Sequence, residues 1–93
     1  MDTDSKIDDA LQRIAADSRT NVWHICLYTA LLHYWCKSGF QPFFHISRRE
    51  VMTFAHFGSI ATYHKCIRQL LSFGYIKYLP SYNPFIGSTI SLS

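Results

Sequence analysis

Between residues 59 and 73 apolar side chains return every three or four positions. With 100° per residue, Ile60, Tyr63, Cys66, Ile67, Leu70, Leu71 and Phe73 fall within roughly 80° of one line. Ala61, Lys65, Arg68, Gln69 and Ser72 fall opposite, with Thr62 and His64 on the flanks. This spacing predicts a helix that rests on a core, capped by Ser59 and ended by Gly74, which tolerates the left-handed conformation of a helix end. Residues 75–79 then read as a strand and residues 80–88 as a long turn rich in Pro, Gly, Asn and Ser. Residues 89–92 alternate as the returning partner strand.

Upstream, residues 5–16 form a short amphipathic helix with Ile7, Ala10, Leu11 and Ile14 on one stripe. Residues 17–21 break it and offer caps for the next helix, residues 21–37. That helix is apolar around most of its circumference, and only Thr29, His33 and Lys37 form a polar strip. A single core face needs a stripe somewhat over 100° wide, and this one is about twice that, so it must meet two partners. One is the domain core; the other is the N-terminal helix, a second subunit, or both. Ser38-Gly39 ends it, and residues 43–46 read as a short strand. In "ISRREV" Ser47 and Glu50 have the spacing of a capping box, with Ile46 and Val51 as its hydrophobic staple. The helix so started runs to about residue 55 with Val51, Phe54 and Ala55 inward, and His56-Phe57-Gly58 makes a tight break.

Ninety-three residues, 48% hydrophobic and 16% charged, suit one small domain: a helix at 1–18 for packing or dimerisation, then a body at 19–93. Charge is divided unevenly. Residues 1–17 carry five Asp against Lys6 and Arg13, a net −3, whereas residues 18–93 carry seven cations against Glu50 alone, a net +6. A body so basic favours a polyanion or an anionic surface. Three cysteines without a C-x-x-C pair, and an acidic start unlike a signal peptide, point to reduced thiols in a cytoplasmic protein. The apolar run at residues 22–35 is too short and too interrupted to span a bilayer.

The order helix, short strand, capped helix, tight turn, helix, strand, loop, strand is mostly α with a small β-hairpin, an α+β chain. "GSIATYHKCIRQLLSFGYIKY" resembles the second helix and first wing strand of winged helix-turn-helix regulators and replication-initiator domains of bacterial plasmids and conjugative elements. The matching positions are Ser59, Thr62, Tyr63, His64, Lys65, Ile67, Leu70, Gly74, Tyr75 and Ile76, with "LYTALLHYW" and "HISRREVM" fitting the preceding helices. The resemblance covers residues 21–92 and leaves the N-terminal helix as an addition. It implies a protein that binds double-stranded DNA, and the first reading is a homodimer on a two-fold site, a transcriptional regulator or an accessory factor of a mobile element. Helix 59–73 is then expected in the major groove with the hairpin beside it.

The residues agree with that implication. Thr62, His64 and Lys65 stand near the start of an exposed helix face, where side chains reach base edges. Ser59 and the free amides of the first turn suit a phosphate, as do Arg48, Arg49, Arg68 and Lys77. The hairpin tip has no Lys or Arg, which leaves Tyr82 and Asn83 as the wing candidates. The aromatic surplus reads as core and dimer interface, with Ile7, Leu11, Ile14, Trp23, Leu27 and Tyr34 as candidates, rather than as a ligand pocket.

Other chemistries find less support. His33 and Cys36 are a helical turn apart, but four convergent ligands at metal spacing do not appear, so neither a metal nor a cofactor is expected. Glu50 is a cap residue, a Cys-His pair would lack an orienting carboxylate, and there is no phosphate-cradling glycine loop, so the chain does not read as an enzyme. No small-molecule ligand is evident. The alternative is a winged-helix module that binds a protein through its aromatic helix.

Overall fold

Asn21 starts the longest helix by a reciprocal cap. Its side-chain oxygen accepts from the Trp23 and His24 amides, while His24 Nδ1 accepts the Asn21 amide at 3.0 Å. A computed structural model describes residues 3–79 and 88–92 of the chain. Among them are four helices, α1 (Thr3–Ala16), α2 (Val22–Lys37), α3 (Arg48–Ala55) and α4 (Ile60–Phe73). Three strands complete the fold, β1 (Phe44–Ile46), β2 (Ile76–Leu79) and β3 (Ser88–Leu92).

The apolar circumference of α2 is answered within the chain. α1 packs on one side, and α3, α4 and β1 pack on the others. His24, Leu27, Tyr28, Ala30, Leu31 and Leu32 are buried there. α1 contributes Ile14, wholly buried, while Ile7, Ala10 and Leu11 lie half-buried on the same core. Of the two dimer candidates Ile14 and Leu27, neither keeps any accessible surface (each is 0% exposed), so these two belong to the core instead.

The corner between α1 and α2 is tied by polar bonds. The Thr20 hydroxyl donates to the Ile14 carbonyl at 2.7 Å, and Arg19 meets the Asp17 carboxylate through Nε and Nη2. The Tyr75 hydroxyl donates to the same carboxylate at 2.7 Å. The residue that leads into β2 is thereby fastened to the end of α1.

The sheet has the order β1-β3-β2 and is antiparallel throughout. Phe44, Ile90 and Tyr78 form one row toward the core, whereas His45, Thr89 and Leu79 form a row on the other face. The expected hairpin thus gains a third strand, because residues 44–46 pair with β3.

Three local expectations are corrected. Ser47 accepts the Glu50 amide at 3.4 Å, but the cap that closes in both directions is Asn21 with His24. Phe54, expected inward, is 42% exposed and stacks on His33 with ring centres 4.4 Å apart. Leu71, at one edge of the α4 stripe, is also exposed, because the core reaches only Tyr63, Cys66, Ile67 and Leu70. The tight break before α4 is as expected, with His56 in the left-handed conformation (φ 62) and its amide returning to the end of α3.

Candidate nucleic-acid interface

α4 owes its orientation to its buried stripe. Tyr63, Cys66, Ile67 and Leu70 are covered, so Lys65 and Arg68 are turned out and exposed. Burial pushes the Cys66 thiol up, with the neighbouring Lys65 charge opposing. Thr62 and His64 flank the outward face half-buried, the His64 ring edge-on to Tyr63 at 5.4 Å. Gln69 departs from the outward set: its side chain turns to His24 and accepts a 2.7 Å bond from Nε2.

The start of α4 is open and unencumbered by negative charge. The Ser59 hydroxyl accepts the Thr62 amide at 3.3 Å, and no acidic residue lies in the first turn. The other amides of that turn have no partner inside the helix, and the helix dipole adds partial positive charge there. Such an end favours an anion.

The tertiary fold adds the two arginines of α3 to this end. Arg48 and Arg49 are exposed and, with Met52, Thr53, Phe57 and Ile60, line a shallow groove of about 290 Å³. Ile60 is the first residue of α4, so Arg48 and Arg49 share a groove with the helix start. Tyr63 registers the same proximity: burial, then Tyr78, push its hydroxyl up to about 12, while the charge of Arg48 acts against them. Glu50, the single acid after Asp17 in the sequence, is exposed and lines a neighbouring depression with Tyr34, Arg49, Thr53 and Phe54.

The remaining candidates separate from this group. Lys77 is exposed on β2 in register with Ser91, so it belongs to the sheet. Tyr82 and Asn83 lie outside the described residues. Of the dimer candidates, Ile7 and Leu11 are partly buried against the core. Tyr34 is half-buried with its ring edge-on to Phe54 at 6.1 Å. Trp23 is 45% exposed and leans on Phe57, ring centres 5.3 Å apart.

Two features were missed in the sequence. The His24–Gln69 bond joins residues whose separation along the chain carries no local signal. The apolar floor of the arginine groove, Met52, Phe57 and Ile60, comes from α3, the break and α4, and no single helical stripe contains all three. Among the described residues no three His, Cys, Asp or Glu side chains converge as metal ligands would, and no helix is long and apolar enough to cross a membrane. No protein family, curated protein or solved structure matches the chain.

Proposed function

We propose that the protein binds double-stranded DNA through α4 and the first turn of α3, with α2, α3, α4 and the sheet acting as a winged helix-turn-helix. One observation carries the reading. α4 is fixed on its buried side, and its exposed side presents Lys65 and Arg68 beside an acid-free helix start flanked by Arg48 and Arg49. Cations so arranged neutralise phosphates and release their counterions, which supplies affinity. A single helix fits the major groove, where Thr62, His64 and Lys65 meet base edges while Arg48, Arg49, Arg68 and Ser59 meet the backbone. Lys77 offers a further phosphate contact from the sheet. Trp23 and Tyr34 keep surface for a second copy, which would set two reading helices on a two-fold site. The biological setting is a cytoplasmic transcriptional regulator or an accessory factor of a mobile element, in keeping with the resemblance in residues 21–92.

Fluorescence anisotropy on a random-sequence duplex across a salt series tests this. Lys65→Ala and Arg68→Ala should each weaken binding and, where a phosphate contact is lost, flatten the salt slope by about one unit. Both variants should keep the wild-type melting temperature. If duplex binding is absent, or survives both changes intact, α4 is not the reader.

The exposed Val22, Trp23 and Ile60 favour a second reading, a module that docks on a protein. Sizing chromatography distinguishes it: a tight oligomer indifferent to DNA and salt supports the module.

A further inference from the structure

On the side of the molecule built by α1, α2 and the end of β3 lies a cavity of about 340 Å³. That is the lower end of the range for small-molecule sites. Its walls are largely apolar and aromatic, with Leu32, Trp35, Phe40 and Leu92 among them, and Lys6 and Tyr28 also line it. Lys6 is exposed and, among the described residues, makes no ion pair.

Tyr28 is the buried polar group. It is 1% exposed, and among the described residues its hydroxyl makes no hydrogen bond. No buried side-chain oxygen or nitrogen there is left without a partner, so the small accessible part of Tyr28 is its hydroxyl. Burial also pushes this phenol up, against the opposing charge of Arg13.

The wall is shaped at a steric cost. Phe40 has φ 63, a left-handed conformation that a bulky side chain rarely adopts. Its amide donates to the Trp35 carbonyl at 3.1 Å, and its ring stands edge-on to Trp35 at 5.1 Å, both rings facing the cavity. Strained residues are retained where a ligand clamp or site needs them. The strain here holds an aromatic ring, 46% exposed, at the edge of an apolar hollow instead of in the core.

We propose that this cavity binds a small apolar monocarboxylic acid. The body of the ligand lies between Leu32, Trp35 and Phe40, its carboxylate pairs with Lys6, and Tyr28 offers its hydroxyl to a ligand oxygen. A neutral hydrocarbon would leave both donors unused, and a polyanion would find one cation in an apolar hollow. The site is independent of the DNA reading, since its residues lie on α1, α2 and the α2–β1 connection with β3.

Two-dimensional NMR of the full chain tests the site with decanoate, 1-naphthoate and the uncharged decanol as probes. At least one acid should produce saturable shifts that move the Trp35 indole and leave Trp23 in place. Lys6→Glu changes an exposed residue and should weaken acid binding at least tenfold while leaving any decanol binding unchanged. Absence of saturation with both acids, movement of Trp23 instead of Trp35, or equal acid affinity in Lys6→Glu would each overturn the proposal.

Discussion

His24 and Gln69 share a 2.7 Å hydrogen bond across 45 positions of sequence, and it latches the first turn of α2 to the side of α4. Because His24 Nδ1 accepts the Asn21 amide, the ring proton resides on Nε2, which donates to Gln69 Oε1. The imidazole is 1% exposed and lies edge-on to Phe73 at 5.7 Å. One ring therefore closes a helix cap and fixes the neighbouring helix. Gln69→Leu leaves the Nε2 proton unpaired in a buried site and should cost about 1–3 kcal/mol in urea unfolding. Gln69→Glu retains an acceptor and should cost less. Equal losses in the two variants would mean the bond does not hold the helices.

The start of α4 gives a way to separate folding from binding. Thr62 occupies the third helical position after the Ser59 cap, where Glu would complete a capping box. Thr62→Glu should hold or raise stability by a few tenths of a kcal/mol, up to about 0.5. The same carboxylate would face phosphate, so duplex affinity should fall about tenfold or more. Melting and anisotropy on one preparation check both halves. A variant that binds duplex as well as the wild type would show that this turn does not approach DNA.

Acid and alkali should act at different places. The Arg19 side chain first, then its amide, then Tyr75 hold the Asp17 carboxyl well below the usual carboxylate range. The folded chain therefore takes up this proton less readily than the unfolded one. The stabilisation is complete above the ordinary value of about 3.9 and is lost as pH falls below it. At the other end, Tyr63 is pushed up to about 12, above its unfolded value of about 10. Its contribution is present below about pH 10 and is lost as pH rises toward 12, on the order of 2–3 kcal/mol in total. Denaturant midpoints across pH should show Asp17→Asn flattening the acid limb and Tyr63→Phe the alkaline limb.

Gly74 ends α4 with φ 87, its amide returning to the Leu70 and Leu71 carbonyls, and a Cβ placed there would meet nothing within 4 Å. The cost of Gly74→Ala is thus confined to the backbone, about 1 kcal/mol, or a melting temperature lower by roughly 4–8 °C. His56 ends α3 in the same conformation without being glycine, so His56→Gly should raise stability by up to about 1 kcal/mol. Calorimetry on the two variants should give shifts of opposite sign.

The amino-acid order by itself determined the helices and strands, because their signals are local. Periodicity placed α4 from Ser59 to Gly74, and Ser47 and Ser59 marked helix starts that the structure keeps, whereas residues 17–21 offered several caps for α2, of which Asn21 is the one used. It also determined that Lys65 and Arg68 face outward, since the apolar stripe behind them leaves no other orientation. Folding alone decided what depends on distant partners. The second partner of α2 is α1 within the same chain, which takes Ile14 and Leu27 into the core. Gln69 leaves the outward face because a buried imidazole offers it a donor that water would otherwise have to replace. The arginine groove and the cavity beside Lys6 are likewise shapes between elements, and a pattern along one element cannot record the space between two.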